Sequence, residues 1–494
     1  GSCPAETAYI DFFTIFIVRI KHFTTRTIMK KQLLTAAILC CLVIAGSTAA
    51  PKSAKKKPKI PVSRVQTHMD GYLGDRIDAC IRVRVCSEDP DLLVAPMRRQ
   101  TETSLWQSEF WGKWTLGAIA SYRYNKDPEL LRKIEGGVES LLAAQQPDGY
   151  IGNYAPEAQL TNWDVWGRKY TMLGLLAYYD LTGDKKALDG AVRLADHLLT
   201  QIPAVRQIER TGIYRGMSSC SILEPIMLLY NRTLDEKYLD FARYIVDRME
   251  SADGPQLIAK ALDGVPVSER FPLDDPSRGW FVWENGQKAY EMMSCYDGLL
   301  ELYKVTNDPR YLKAVEATVT SIIADEINIA GSGSSFECFY KGKALQTEPA
   351  YHTMETCVTM TWMKLCYDLL RLTRNPLYAD QIERSAYNAL AASMKEDASQ
   401  IAKYSPLEGA RSAGEEQCGM HVNCCNMNGP RAFALLPEAA VTDYGDELFV
   451  NLYGPMSSTV RLDGGEVLLE QATSYPEQGD IEIMIDPRKL AALL

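Results

Sequence analysis

Two adjacent cysteines, Cys424 and Cys425 in the stretch HVNCCNMNGPR, are the residues of this sequence best placed to do chemistry. Upstream, METCVTM supplies Glu355 and Cys357. Three sulfurs and one carboxylate suit a tetrahedral zinc ion, because thiolates are soft ligands and zinc accepts sulfur and oxygen donors together. The spacing is not that of a zinc finger. Two other readings stay open at this point: a pair of buried core cysteines beside an unrelated helical one, and a vicinal disulfide. Glu337, in GSGSSFECF, is the second candidate. A Gly/Ser-rich loop delivers it beside aromatic residues, where partial burial raises a carboxyl pKa and equips it as a general acid. The alternative is an ordinary solvated loop carboxylate.

These residues need a scaffold, and the middle of the chain supplies one. Five segments share a pattern in which a helix ends in apolar or aromatic residues, a polar turn follows, and an amphipathic helix begins. They start at Tyr122, Tyr178, Leu229, Leu302 and Leu369, with spacings of 51 to 73 residues. An Asp or Asn just before each new helix suits an N-cap, since its side chain accepts free N–H groups of the first turn. Apolar residues then recur at helical spacing, as in Leu188, Val192, Leu194 and Leu198. Repeated helical hairpins of this size predict a mainly α chain whose 65–440 region closes into an (α/α)6 toroid. An open solenoid is the alternative, but its repeats are shorter and more regular. The irregular inserts 251–286 and 329–353 read as active-site loops.

After about Ala440 the texture changes. DELFVNLYGPMSSTVRL, GEVLLEQATSYP and DIEIMIDP alternate apolar and polar residues between Gly and Pro, as strands and hairpins do. Residues 441–494 therefore predict part of a β-sandwich domain, cut short at Leu494. At the other end, Met29-Lys30-Lys31, the apolar run Leu33–Ala45 and the small residues Gly46–Ala50 form a secretory signal peptide. Residues 1–28 precede it without a structural role, and 51–64, rich in Lys and Pro, form a linker. The expectation is a secreted or periplasmic protein with no membrane attachment after cleavage. A formal net charge of −10 argues against a nucleic-acid partner, because phosphate binding needs a basic surface. Of the 13 cysteines, Cys80 and Cys86 are the obvious local pair for a disulfide.

Taken together, the Glu-Thr-Cys and Cys-Cys elements, in this order, resemble glycoside hydrolase family 127, the β-L-arabinofuranosidases. The resemblance spans roughly residues 65–490 and includes KYSPLEG, from Lys403, ahead of the cysteine pair. It implies an (α/α)6 barrel followed by β-sandwich domains. It also implies that Glu355, Cys357, Cys424 and Cys425 hold Zn2+, that Cys424 is the nucleophile, and that Glu337 is the acid/base. The expected reaction is retaining hydrolysis of L-arabinofuranose-like sugars from plant cell-wall glycans, and the expected partner is an oligosaccharide or polysaccharide.

The sugar-binding shell departs from the family pattern. Members with arabinofuranosidase activity carry histidines on helices reading like His-Glu-Leu-Tyr and Gly-His-Ala. The matching stretches here, WDVWGRKYTML and ENGQKAYEMM, contain none. Candidate sugar contacts are instead Trp166, Arg168, Tyr170, Gln287 and His352. An inward-facing Arg168 or Lys169 would hold a carboxylate-bearing sugar such as a branched acidic furanose of pectin; paired with Asp164, it would be structural. Two further readings compete: a toroid polysaccharide lyase or uronyl hydrolase, and a non-catalytic carbohydrate-binding toroid with structural zinc.

Overall fold

The recurring turns join an inner helix to an outer one, and each uses the same two residues. The first adopts a left-handed conformation that ends the inner helix: Lys126, Gly183, Leu234, Asn307 and Arg374, with φ between +54° and +75°. The second caps the outer helix. The side chains of Asp127, Asp184, Asp235, Asp308 and Asn375 each accept the N–H two residues on, at 2.8–3.2 Å. The expected N-caps are thus all present.

The computed structural model describes residues 16–19, 64–272, 287–348, 352–414, 416–445, 447–462 and 465–486. Its centre is a ring of six helices: α1 (Ser108–Asn125), α2 (Asp164–Thr182), α3 (Leu223–Thr233), α4 (Ala289–Thr306), α5 (Thr356–Thr373) and α6 (Cys424–Ala440). Each packs on the next, and α6 packs back on α1, which closes the toroid. The expected (α/α)6 class is therefore observed, and the open solenoid is excluded.

The two layers differ in sequence for a physical reason. Inner helices are covered on every side, so α2 buries every residue from Asp164 to Leu176. Outer helices bury one stripe. In Lys185–Gln201 that stripe runs through Ala187, Ala191, Leu194 and Leu198, with Leu188 and Val192 half-buried at its edge. The outer partner of α6 is Gly71–Cys80, the first helix of the described residues.

The predicted strands form, but not all from the C-terminal segment: Phe16–Arg19, in a stretch expected to have no structural role, pairs with Glu447–Val450. One sheet has the order β1 (Phe16–Arg19), β4 (Glu447–Val450), β3 (Val441–Tyr444). The other runs β2 (Val65–Met69), β5 (Met456–Leu462), β6 (Gly465–Thr473), β7 (Ile481–Asp486), all antiparallel. Strand β2 comes from just ahead of the first barrel helix, so the sheet and barrel are stitched by both ends of the described chain. Leu448, Val460 and Val467 form a small apolar cluster between the sheets.

All described cysteines are free thiols, Cys80 and Cys86 included. Those two lie at either end of a helical segment, where six residues of rise, about 9 Å, exceed the Cα span of a disulfide. No helix among the described residues is long and apolar enough to cross a membrane. The segments expected to form a signal peptide and a linker, up to residue 63, and residues 273–286 of the expected 251–286 insert lie outside the described residues.

Candidate active site

The N-terminal ends of five ring helices open on one cavity of about 260 Å³. Helix α1 contributes Glu109 and Lys113, the start of α2 contributes Trp163 and Trp166, and the start of α4 contributes Lys288, Tyr290 and Glu291. Glu355 occupies the N-cap position of α5 without a side-chain capping bond, and Cys424 is the first residue of α6. Helix N-termini carry partial positive charge, so this end of the ring favours thiolates and carboxylates.

Glu355, Cys357, Cys424 and Cys425 converge as the sequence predicts. All four are buried, and their ligand atoms lie within 4.8 Å of one another. Cys425 Sγ lies 3.4 Å from Cys357 Sγ and 3.9 Å from Cys424 Sγ. Glu355 Oε1 lies 3.7 Å and 3.6 Å from the sulfurs of Cys424 and Cys425. An ion bound through sulfur at about 2.3 Å in a tetrahedron has ligand-to-ligand edges of about 3.8 Å. Glu355 Oε2 is buried with no hydrogen-bond partner among the described residues. A buried, orphaned carboxylate oxygen amid three thiols is costly unless a cation or proton joins it. The donor set fits zinc.

The four groups differ electrostatically in the bare chain. Hydrogen bonds from Cys357 and Cys425, with help from the Lys403 and Lys113 ammoniums, hold Cys424 well below the usual thiol range despite its burial. Burial pushes Cys357 and Cys425 up. Burial, with Glu337 and Cys424 nearby, also pushes Glu355 well up. Cys424 alone of the three sulfurs lines the cavity.

Glu337 reaches the cavity from its loop with φ of +66°, in the left-handed region. Such a backbone costs a non-glycine residue on the order of 1–3 kcal/mol and persists where its surroundings hold it. Here Ala289 N–H donates to Glu337 O at 2.9 Å, docking the loop on the start of α4. The expected raised pKa is overturned. Burial does push the carboxyl up, but Lys288 at 2.7 Å from Oε2 and Lys403 at 3.2 Å from Oε1 outweigh it, and Glu337 is held below the usual carboxylate range. Tyr404 also donates to Oε1 at 3.2 Å.

The predicted sugar shell is only partly at the cavity. Trp166 lines it and donates through Nε1 to Glu109. Tyr170 lies one layer behind, its hydroxyl hydrogen-bonded to that of Tyr290. Gln287 is fully buried and bonds the backbone of Phe271, so it positions a loop. His352 packs between Phe336 and Tyr404, with ring centroids 4.6 Å and 4.8 Å away, behind Glu337. Arg168 does not face the cavity. It is fully buried against Asp164 at 2.6 Å and Gln201 at 2.8 Å, because its helical phase points it toward the outer layer. Lys169 is buried over the Trp166 ring.

This arrangement makes a prediction. Arg168→Met leaves the buried Asp164 carboxylate uncompensated and is expected to cost about 3–5 kcal/mol of stability. Chemical denaturation should read that loss while KM of the folded enzyme stays unchanged. A large rise in KM without destabilisation would return Arg168 to the sugar site.

Several cavity residues escaped the sequence reading: Glu109, Lys113, Glu291, Lys403, and the aromatic residues Trp106, Trp163 and Tyr214. Glu109 and Lys113 form a buried ion pair at 2.7 Å, four residues apart. A charged pair on a helix as apolar as SEFWGKWTLGAIA was the available signal, since such charges are buried only when paired.

Comparisons with known proteins agree with this architecture. Residues 67–438 match the family model described as the β-L-arabinofuranosidase, GH127 catalytic domain. A non-reducing end β-L-arabinofuranosidase from Bifidobacterium longum subsp. longum is 22% identical over 409 residues, covering 76% of this chain and 60% of that protein. The chain thus spans well under two thirds of that relative's length. Among solved structures, a GH127 β-L-arabinofuranosidase from Geobacillus stearothermophilus T6 superposes with a TM-score of 0.65 at 21% identity, covering 86% of this chain and 73% of the other. Another GH127 β-arabinofuranosidase gives a TM-score of 0.64 at 22% identity, with 86% and 69% covered. The family match takes in both the ring and the Glu/Cys cluster, and the chain belongs to glycoside hydrolase family 127.

Proposed function

We propose that this chain is a retaining exo-glycoside hydrolase that releases L-arabinofuranose-like sugars from plant cell-wall glycans, with Cys424 as nucleophile and Glu337 as acid/base. The observation that carries the reading is the position of Cys424: it is at once a member of the buried Glu/Cys cluster and the one sulfur facing the cavity. The cavity volume suits a single sugar ring. Zinc held by Glu355, Cys357, Cys424 and Cys425 would keep the Cys424 sulfur as a thiolate at neutral pH.

The residues of the chain then divide the work. The Cys424 sulfur attacks the anomeric carbon as the bond to the leaving oxygen breaks, and Glu337 gives that oxygen a proton. Water next attacks the same carbon while Glu337 takes its proton, and the carbon–sulfur bond breaks to return the thiolate. Two displacements retain configuration. Lys288 and Lys403 favour the ionised form of Glu337, which is the form the second step needs.

A pH dependence follows with a definite sign. The acid form of Glu337 exists only below its depressed pKa, so cleavage of sugar leaving groups should fall as pH rises out of the acidic range. Nitrophenyl glycosides, whose leaving group needs no proton, should retain activity to higher pH.

The test is a panel of aryl L-arabinofuranosides and pectic oligosaccharides, with the product anomer read by NMR. Release of one sugar per cleavage with retained configuration is expected. Inverted product, an unsaturated product of elimination, or no turnover by the zinc-loaded enzyme would overturn the reading. Preference for a carboxylated furanose would move the substrate to the acidic pectic class on the same centre, with an ammonium of the cavity, not Arg168, as its anchor.

A further inference from the structure

One group in the cavity is used neither by the Glu/Cys cluster nor by the acid/base. Glu291, on the first turn of α4, lines the cavity and is 3% exposed, yet its Oε2 has no hydrogen-bond partner among the described residues. Its neighbours do not supply one. Lys288 gives its ammonium to Glu337, and Tyr290 engages Tyr170 and Asn428. Its own backbone N–H engages the carboxyl, but the buried Oε2 is left without a partner, which is costly unless a ligand or water completes it.

We propose that Glu291 is a specificity-determining residue that binds the sugar in this cavity, donating a hydrogen bond from its carboxyl to a sugar oxygen. The proposal rests on the functional reading above and adds a contact to it. Other groups facing Glu291 are Lys288 and Cys295 on its own helix, Glu337 and Cys338 on the loop, Glu109 on α1 and Tyr214 ahead of α3. Burial raises Glu291 to about 7, against the pull of Lys288 and with the push of Glu337. Up to near neutrality it therefore keeps the proton that makes it a donor, while Glu337, held low by two lysines, does not.

The linkage has a sign. A sugar entering the cavity displaces water and disfavours the charged form further, so the pKa of Glu291 rises on binding. Affinity is then complete below the free-enzyme value and falls above it, by up to tenfold per pH unit. KM for an aryl L-arabinofuranoside should rise above about pH 7 in the wild type. Glu291→Gln, which keeps a donor but cannot ionise, should remove that rise. Glu291→Ala should raise KM about tenfold below about pH 7, with the gap to the wild type closing at higher pH, as expected for a lost hydrogen bond at a buried site.

Binding of free L-arabinose, followed by the fluorescence of Trp106, Trp163 and Trp166, gives the same comparison without turnover. The infrared difference between the wild type and Glu291→Gln gives a third readout: the protonated carboxyl intensity that the variant removes should be lost across about pH 7 in the wild type, while that of Asp297 and Glu383, also raised to about 7 by burial, stays in both. An unchanged pH dependence of KM in Glu291→Gln, or an unchanged KM in Glu291→Ala, would overturn the proposal. If the wild type neither cleaves arabinofuranosides nor binds L-arabinose, the functional reading fails. The infrared intensity removed by Glu291→Gln then decides for Glu291 separately: its presence supports a proton-bearing carboxyl facing some other sugar, and its absence overturns the assignment.

Discussion

Exchanging Cys424 for Ser is expected to lower kcat/KM for an aryl L-arabinofuranoside by on the order of 10⁶-fold, the size of the loss seen when a covalent nucleophile is removed elsewhere. The exchange changes one atom, so the cavity keeps its shape, but it removes the only sulfur among the described residues that lines the cavity. A hydroxyl in that position stays protonated. The hydrogen bonds from Cys357 and Cys425 and the ammoniums of Lys403 and Lys113, which suffice to hold a thiol well below its usual range, cannot bring an alcohol to neutrality. Burst and steady-state kinetics should therefore both vanish in Cys424→Ser. Activity within tenfold of the wild type would mean that another group attacks the sugar.

The second large effect concerns the metal. Removing Cys357 or Cys425 by substitution with Ala should lose zinc and activity together, with activity down on the order of 10³-fold. Each is a buried thiol within the cluster, and neither lines the cavity, so neither variant touches the sugar directly. The ring helices preassemble the four donors, so metal removal by a chelator should lower Tm without unfolding the chain, unlike a zinc finger. Elemental analysis should find one zinc per wild-type chain. Full zinc occupancy in the Cys357→Ala, Cys425→Ala double variant would sink the ligand assignment.

The features legible in the sequence are the local ones. The turn that joins inner to outer helices needs only two residues, and the capping residues Asp127, Asp184, Asp235, Asp308 and Asn375 declare themselves because side chain and target N–H are two residues apart. The Glu/Cys cluster was legible through soft-ligand chemistry and the family resemblance. What sequence could not convey was which way a side chain turns on a helix buried all round. On α2, Trp166, Arg168 and Tyr170 are all buried, and no polar face marks the direction of the cavity. Trp166 reaches the cavity while Arg168, two residues on, meets Asp164 on the other side. The sign of the Glu337 shift was lost for a related reason. Lys288 and Lys403 come from segments 49 residues before it and 66 after it, and only the closed ring brings both ammoniums to one carboxylate. Likewise the pairing of Val65–Met69 with Met456–Leu462 spans almost the whole described chain, beyond any local signal.

The measurement that bears most directly on the account is mass spectrometry of Glu337→Gln after reaction with an activated aryl L-arabinofuranoside. The activated leaving group departs without a proton, and the missing carboxylate then leaves no base to activate water, so the enzyme should stall after the first displacement. A peptide containing Cys424 is predicted to carry one added sugar through a carbon–sulfur bond, in near-stoichiometric yield. A sugar on a carboxylate peptide, such as that of Glu291 or Glu355, or turnover with no adduct and inverted product, would contradict a cysteine nucleophile in this barrel.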